Sequence, residues 1–170
     1  MKILIFGNIC SGKTTLALRL SSEFKMEMLS IDDYRRKFGD GTWEAEKNVQ
    51  EHFFKDISKD RNQIIETLGV GSVSEKLYSL LKTFNSIYIC IILKADLDTL
   101  KKRVKDRKWD IPFPKPLSQV IPLLEKTQLR IENLEIQEKF SNLGNVIFFE
   151  SNFQIDDNYS QLVLAIRELI

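Results

Sequence analysis

Residues 7–14 read Gly7-Asn8-Ile9-Cys10-Ser11-Gly12-Lys13-Thr14, a complete G-x-x-x-x-G-K-[ST] pattern directly after the apolar run Ile3-Leu4-Ile5-Phe6. That spacing makes a phosphate cradle. The two glycines let the backbone wrap round an oligophosphate with its N–H groups turned inward. Lys13 sets a point charge beside the β- and γ-phosphates, and the Thr14 hydroxyl is a ligand for Mg²⁺. The stretch from Thr15 to Leu20 is a good helix former, so its N-terminal dipole faces the same phosphates. The block Gly7 to Thr15, with Asn8, Ile9, Cys10 and Ser11 supplying loop amides, implies that the ligand is a nucleoside triphosphate.

A second group of chemistry-bearing residues is Ser30-Ile31-Asp32-Asp33-Tyr34-Arg35-Arg36. Asp32 is expected where a second strand ends, beside the phosphates. A carboxylate there accepts a proton from an attacking hydroxyl or holds Mg²⁺ through water. Arg35 falls three residues on, on the same face of a helical turn, and meets the same substrate with a bidentate guanidinium. The competing reading is an N-cap Asp followed by a solvated basic face. Glu66 ends the short strand Gln63-Ile64-Ile65-Glu66 and is placed to orient a Mg²⁺ water or a substrate hydroxyl, or else to cap the next helix. Tyr34, Phe38 and Trp43 either stack on a planar acceptor or belong to the core. His52 is read as a surface or satisfied histidine.

These residues need elements to hold them. Strands are expected over residues 2–6, 26–31, 63–66, 86–93 and 145–149, and helices over 13–24, 43–59, 72–84, 98–107, about 118–141 and 158–170. The run Ser86 to Leu93 is apolar throughout, as in a central parallel strand covered on both faces. Strands alternating with helices give a three-layer α/β/α fold on a parallel, five-stranded sheet, with ligands at the carboxyl ends of the strands. Two segments interrupt the alternation: Tyr34 to Trp43, with its turn signal Gly39-Asp40-Gly41, and Lys108 to Pro116, where Pro112, Pro114 and Pro116 forbid a helix. One domain over residues 1–170 accounts for the chain.

The balance of 25 basic and 24 acidic residues, net +1, carries no electrostatic footprint for long nucleic acid. No apolar run reaches membrane-spanning length, and the apolar start is too short for a signal peptide, so a cytosolic protein is expected. The two cysteines, Cys10 and Cys90, match no metal spacing and are read as reduced thiols. The strand at 145–149 is followed by Glu150-Ser151-Asn152, with no N-K-x-D guanine-reading signature, which disfavours a GTPase. An ATPase or nucleotide switch without an acceptor is the remaining alternative outside the kinases.

Gly7 to Thr15, Asp32 with Arg35, and the basic stretch Leu100 to Arg107 together resemble the P-loop small-molecule and nucleotide kinases, a group that includes adenylate, shikimate and gluconate kinases. The resemblance implies a lid over about residues 103–118 and an acceptor-binding region over about 34–60. It also implies that Arg103 lies near the adenine end and that Arg107 reaches the transferred phosphoryl. The competing reading of this pair is an exposed basic helix face. Asp32-Asp33-Tyr34-Arg35 is similar to the hydroxyl-activating segment of polynucleotide kinases. The activity implied by the resemblance is transfer of a phosphoryl from Mg-ATP to a small metabolite or nucleoside-like alcohol, with a polynucleotide 5′-hydroxyl as the alternative acceptor. Lys13, Asp32 and Arg107 are then catalytic, Asp32, Arg35 and Glu66 meet the substrate, and Thr14 and Asp32 hold the metal. The third strand ends Ile65-Glu66-Thr67-Leu68-Gly69 where adenylate kinases carry Asp-Gly-Phe-Pro-Arg, which argues against a nucleoside monophosphate acceptor.

Overall fold

Strand β1 (Lys2–Gly7) is buried along its whole length, and that is why its sequence runs apolar without alternating. The computed structural model describes residues 1–112, 117–152 and 156–170. β1 lies at the centre of a five-stranded sheet with β2 (Glu27–Ser30), β3 (Gln63–Glu66), β4 (Tyr88–Lys94) and β5 (Asn145–Glu150). All pairings are parallel and the order is β2-β3-β1-β4-β5. The helices are α1 (Lys13–Phe24), α2 (Ile31–Phe38), α3 (Trp43–Ile57), α4 (Gly71–Leu81), α5 (Leu97–Asp106), α6 (Val120–Glu132), α7 (Glu135–Phe140) and α8 (Asp156–Glu168).

Successive side chains of β1 point to opposite faces and feed two cores. Leu4 and Phe6 pack with Ile65, Cys90, Phe53, Leu77 and Phe140 beneath α3, α4 and α7. Ile3 and Ile5 pack with Ile89, Ile91, Leu16, Leu20, Leu162 and Ile166 beneath α1 and α8. A third, smaller cluster of Ala95, Leu100, Val104, Val120 and Leu124 takes in Ile9, Cys10 and Trp109, so the phosphate loop rests on α5 and α6. The expected three-layer α/β/α fold with a five-stranded parallel sheet is the observed one.

Two helical segments differ from expectation. Residues 31–38, expected to leave a strand and enter a loop, form α2. Asp32 and Asp33 sit in its first turn and Arg35, Arg36 and Lys37 in its last, which matches the helix dipole at both ends. Two i,i+3 ion pairs, Asp32–Arg35 and Asp33–Arg36, add to it. The single helix expected at 118–141 is broken: a 3₁₀ turn (Leu117–Gln119) precedes α6, and Leu134, at φ 61°, separates α6 from α7. The break turns α7 so that Ile136 and Phe140 lie on the sheet, with the Phe140 ring 4.4 Å from that of Phe6. Of the expected lid, residues 103–106 are the end of α5 and Arg107 is extended, while Phe113, Pro114, Lys115 and Pro116 lie outside the described residues.

Candidate active site

β1 delivers the chain into the phosphate loop at Gly7, where a Cβ would come within 2.8 Å of Ser11 Oγ and 3.0 Å of Leu93 Cβ. Gly12, at φ 91°, is the left-handed N-cap of α1 and has no side chain to occupy the first-turn N–H groups. Cys10 is also left-handed, at φ 59°, a conformation that costs a non-glycine residue of the order of 1–3 kcal/mol. The Ser11 hydroxyl is buried with no hydrogen-bond partner among the described residues. A buried hydroxyl of this kind and a strained backbone in one loop fit a cradle for the polar groups of a ligand.

Lys13 is buried and its ammonium donates to Asn8 O at 2.7 Å. Burial lowers its pKa, opposed by the carboxylates of Glu66 and Asp32. Glu66 reaches the loop because β3 runs beside β1, with Glu66 level with Ile5. Thr14 Oγ1 donates to the Glu66 carboxylate, 3.0 and 3.1 Å from its oxygens. Burial pushes the Glu66 carboxyl above its ordinary range and Asp32 adds to the push, while Lys13 and the Thr14 and Ser30 hydroxyls pull it back. Lys13 and Thr14 thus meet Asp32 and Glu66, far from them in sequence, beside the phosphate loop. The oxygens of Thr14 and Glu66, with Asp32 close enough to act electrostatically on both charges, suit Mg²⁺, which takes one or two carboxylates alongside substrate phosphates.

Asp32 accepts from Arg35 Nη1 at 2.8 Å, and its side chain is one-third exposed. Arg35 is held from its other edge by Glu46, with Nε and Nη2 at 2.9 and 2.7 Å from the two carboxylate oxygens. Burial works against the Arg35 charge, but Glu46 and then Asp32 outweigh it and raise its pKa. Glu46, buried in the first turn of α3, is a site residue that sequence spacing did not reveal. Tyr34 turns inward, donating to Asp56 Oδ2 at 2.5 Å and meeting the Phe53 ring edge-on. Phe38 stacks on His52 with centroids 4.1 Å apart, which gives that histidine its partner. Trp43 remains exposed at the start of α3.

From the other side, α5 brings Arg103, and the extended residue after it Arg107, to Cys10. Arg103 donates to Cys10 O at 3.3 Å and to Ser151 O at 2.8 Å. Arg107 Nη1 lies 3.8 Å from Cys10 Sγ, with its guanidinium over the Trp109 ring. Lys13 feels the Arg107 charge, so this arginine does reach the phosphate loop. The Asn8 side chain does not point at the cradle. Its amide donates to Leu124 O at 2.9 Å and to Gln128 Oε1 at 3.0 Å, tying the loop to α6. A further pair, Arg36–Asp110 at 3.3 Å, joins α2 to the segment after α5.

A parallel sheet in this order, a phosphate loop after its central strand, and carboxylates at the ends of the adjoining strands define the chain as a P-loop kinase fold. The chain belongs to the AAA domain family, whose model matches residues 3–121. It is similar to the shikimate kinase of Aquifex aeolicus (strain VF5), 24% identical over 151 residues, covering 82% of this chain and 86% of that protein. Among solved structures it resembles a gluconokinase from Sinorhizobium meliloti 1021 (TM-score 0.66, 11% identity, 99% of this chain and 92% of that one). It also resembles the deoxyadenosine kinase from M. mycoides with bound dATP (TM-score 0.60, 15% identity, 98% and 100%). No helix among the described residues is long and apolar enough to cross a membrane.

Proposed function

We propose that this protein transfers the γ-phosphoryl of Mg-ATP to a hydroxyl of a small acceptor. The observation that carries the reading is the meeting of Lys13, Thr14, Glu66, Asp32 and Arg107 round one phosphate loop. The amides from Asn8 to Thr15 cradle the oligophosphate, and Lys13 swings from Asn8 O to the β- and γ-phosphates. Arg103 steadies the loop at Cys10 on the nucleotide side. Thr14 and Glu66 would hold Mg²⁺, with Asp32 reaching it through water, and the ion would neutralise charge on the phosphates. Asp32, the more exposed carboxylate, takes the proton from the attacking hydroxyl, and Arg35 fixes its orientation in the acceptor wall. Arg107, with Lys13, stabilises charge on the transferring group. Phosphoryl transfer asks for positioning and electrostatics more than covalent help, and this set provides both.

The test is transfer of labelled γ-phosphate across nucleosides, sugars, small acids and 5′-hydroxyl oligonucleotides. Label on an acceptor, lost in Lys13→Ala, is the expected result. Release as free phosphate alone, unaffected by any compound, would replace the kinase reading with an ATPase.

A further inference from the structure

Resting on that reading of the cleft, we infer that the acceptor is an uncharged hydroxyl compound, of the sugar, polyol or nucleoside kind, and that Glu46 excludes acceptors carrying a carboxylate or phosphate. A buried acid is held most strongly by a cation whose charge is not already neutralised. Arg35 is the guanidinium next to Asp32, and two carboxylates claim it. Glu46 takes its Nε and Nη2 edge at 2.9 and 2.7 Å, and Asp32 takes Nη1 at 2.8 Å. The three groups sum to one negative charge, with Glu66 adding to the field at Asp32.

Arg35 is not placed to swing away. Glu46 and Arg35 are both nearly closed to solvent, with side chains 6% and 11% exposed. Drawing the guanidinium to an acceptor acid would strand the Glu46 carboxylate without its charge partner, the costly way to break a buried pair. Glu46 is itself braced from behind: Gln50 Nε2 donates to its Oε1 at 3.3 Å, and Lys76 Nζ in turn donates to Gln50 Oε1 at 2.9 Å. Arg36, the next cation on α2, is paired with Asp33 and Asp110. Lys13 and Arg107 serve the triphosphate. Among the described residues an anionic acceptor therefore meets a wall of net negative charge, whereas hydroxyl groups donate to its carboxylate lone pairs.

The experiment measures kcat/KM of the full chain with ATP and each of ribose, glycerol and deoxyadenosine, then shikimate, gluconate and a 5′-hydroxyl oligonucleotide. It is repeated for Glu46→Gln, which keeps one oxygen to accept from Arg35 but carries no charge, and for Glu46→Asp, which restores the charge. Wild type should transfer to an uncharged acceptor in preference to every anionic one. Glu46→Gln should raise the anionic-to-neutral ratio about tenfold or more, and Glu46→Asp should bring it back toward wild type; tenfold corresponds to about 1.4 kcal/mol. A wild-type preference for an acid or the oligonucleotide overturns the inference and leaves the kinase reading standing, and it decides the matter even if the variants fail to fold. A ratio unchanged in Glu46→Gln reduces Glu46 to a structural role. Transfer to none of the six, with ATP going only to free phosphate, removes the kinase reading and this inference together.

Discussion

Asp32 and Glu66 are two carboxylates acting on one lysine, yet burial separates their tasks. Asp32 is one-third exposed at the start of α2, where an acceptor hydroxyl can approach it. Glu66 is buried against Thr14, on the side of the phosphate loop. Asp32→Asn should leave ATP affinity close to wild type and lower the transfer rate by on the order of 10² to 10⁴, the usual loss for a missing general base, as read from ATP binding and initial rates. Ser30, not Asp32, caps α2, so loss of the native circular dichroism in that variant would show instead that Asp32 is needed chiefly to hold the helix through its pair with Arg35. Glu66→Gln should separate stability from function. The folded carboxyl titrates above its unfolded value, so the native state holds that proton more tightly. Its contribution is complete below the unfolded pKa and is lost as pH rises through the folded one. The Gln variant has nothing to lose, so its melting temperature should exceed wild type at about pH 8, converge with it near pH 4, and accompany a fall in transfer. Equal melting curves throughout would show that Lys13 fully compensates the buried charge. The phosphate loop is legible in the sequence because its eight residues are contiguous. Glu46 is not, because its partner Arg35 lies on another helix and no local spacing links them.

The elements around the loop are joined by polar ties as much as by apolar packing. Gln128 on α6 accepts from the Asn8 amide and donates to Ala95 O at 3.1 Å, so one side chain spans the phosphate loop and the end of β4. From there α5 carries Arg103, and Arg107 just past its end, back to Cys10. Gln128→Leu leaves the Asn8 amide and the Ala95 carbonyl without this partner in a buried setting. Each such loss costs about 1–3 kcal/mol. The variant should melt lower than wild type and bind a fluorescent ATP analogue more weakly, with the affinity loss persisting at temperatures where it is fully folded. Undiminished nucleotide affinity in the folded variant would mean that the loop keeps its shape unaided. Element boundaries are readable where periodicity or glycine marks them and obscure elsewhere. The Gly39-Asp40-Gly41 signal points to a loop after Asp32, although the acid-first, base-last charges of that segment already fit a short helix. The kink at Leu134 carries no glycine or proline. It exists because Ile136 and Phe140 gain more from the sheet core than Leu134 loses in a left-handed conformation.

Across the whole molecule the two ends of the sheet are built to opposite purposes. At the amino end, the buried ammonium of Lys2 donates to Ile57 O, Lys59 O and Gln63 Oε1 at 2.8, 3.2 and 2.5 Å, using all three of its protons. At the carboxyl end stand a left-handed Cys10, a Ser11 hydroxyl with no partner among the described residues, and the buried side chains of Lys13 and Glu66. The first end is closed on itself; the second holds conformational and desolvation costs that its own contacts offset only in part and that a bound phosphate would lower further. A triphosphate bound there should therefore stabilise the entire fold, because α1, α5 and α6 all converge on the loop it fills. At a Mg-ATP concentration 100 times its Kd, linkage gives about 2.7 kcal/mol. For a chain of this size that corresponds to a rise in melting temperature of roughly 5–10 °C. Differential scanning fluorimetry across a Mg-ATP titration should show this rise, should show less of it without Mg²⁺, and should lose most of it in Lys13→Ala. A Lys13→Ala variant that shifts as far as wild type would place the nucleotide somewhere other than this loop, and with it the chemistry assigned to Asp32 and Arg107.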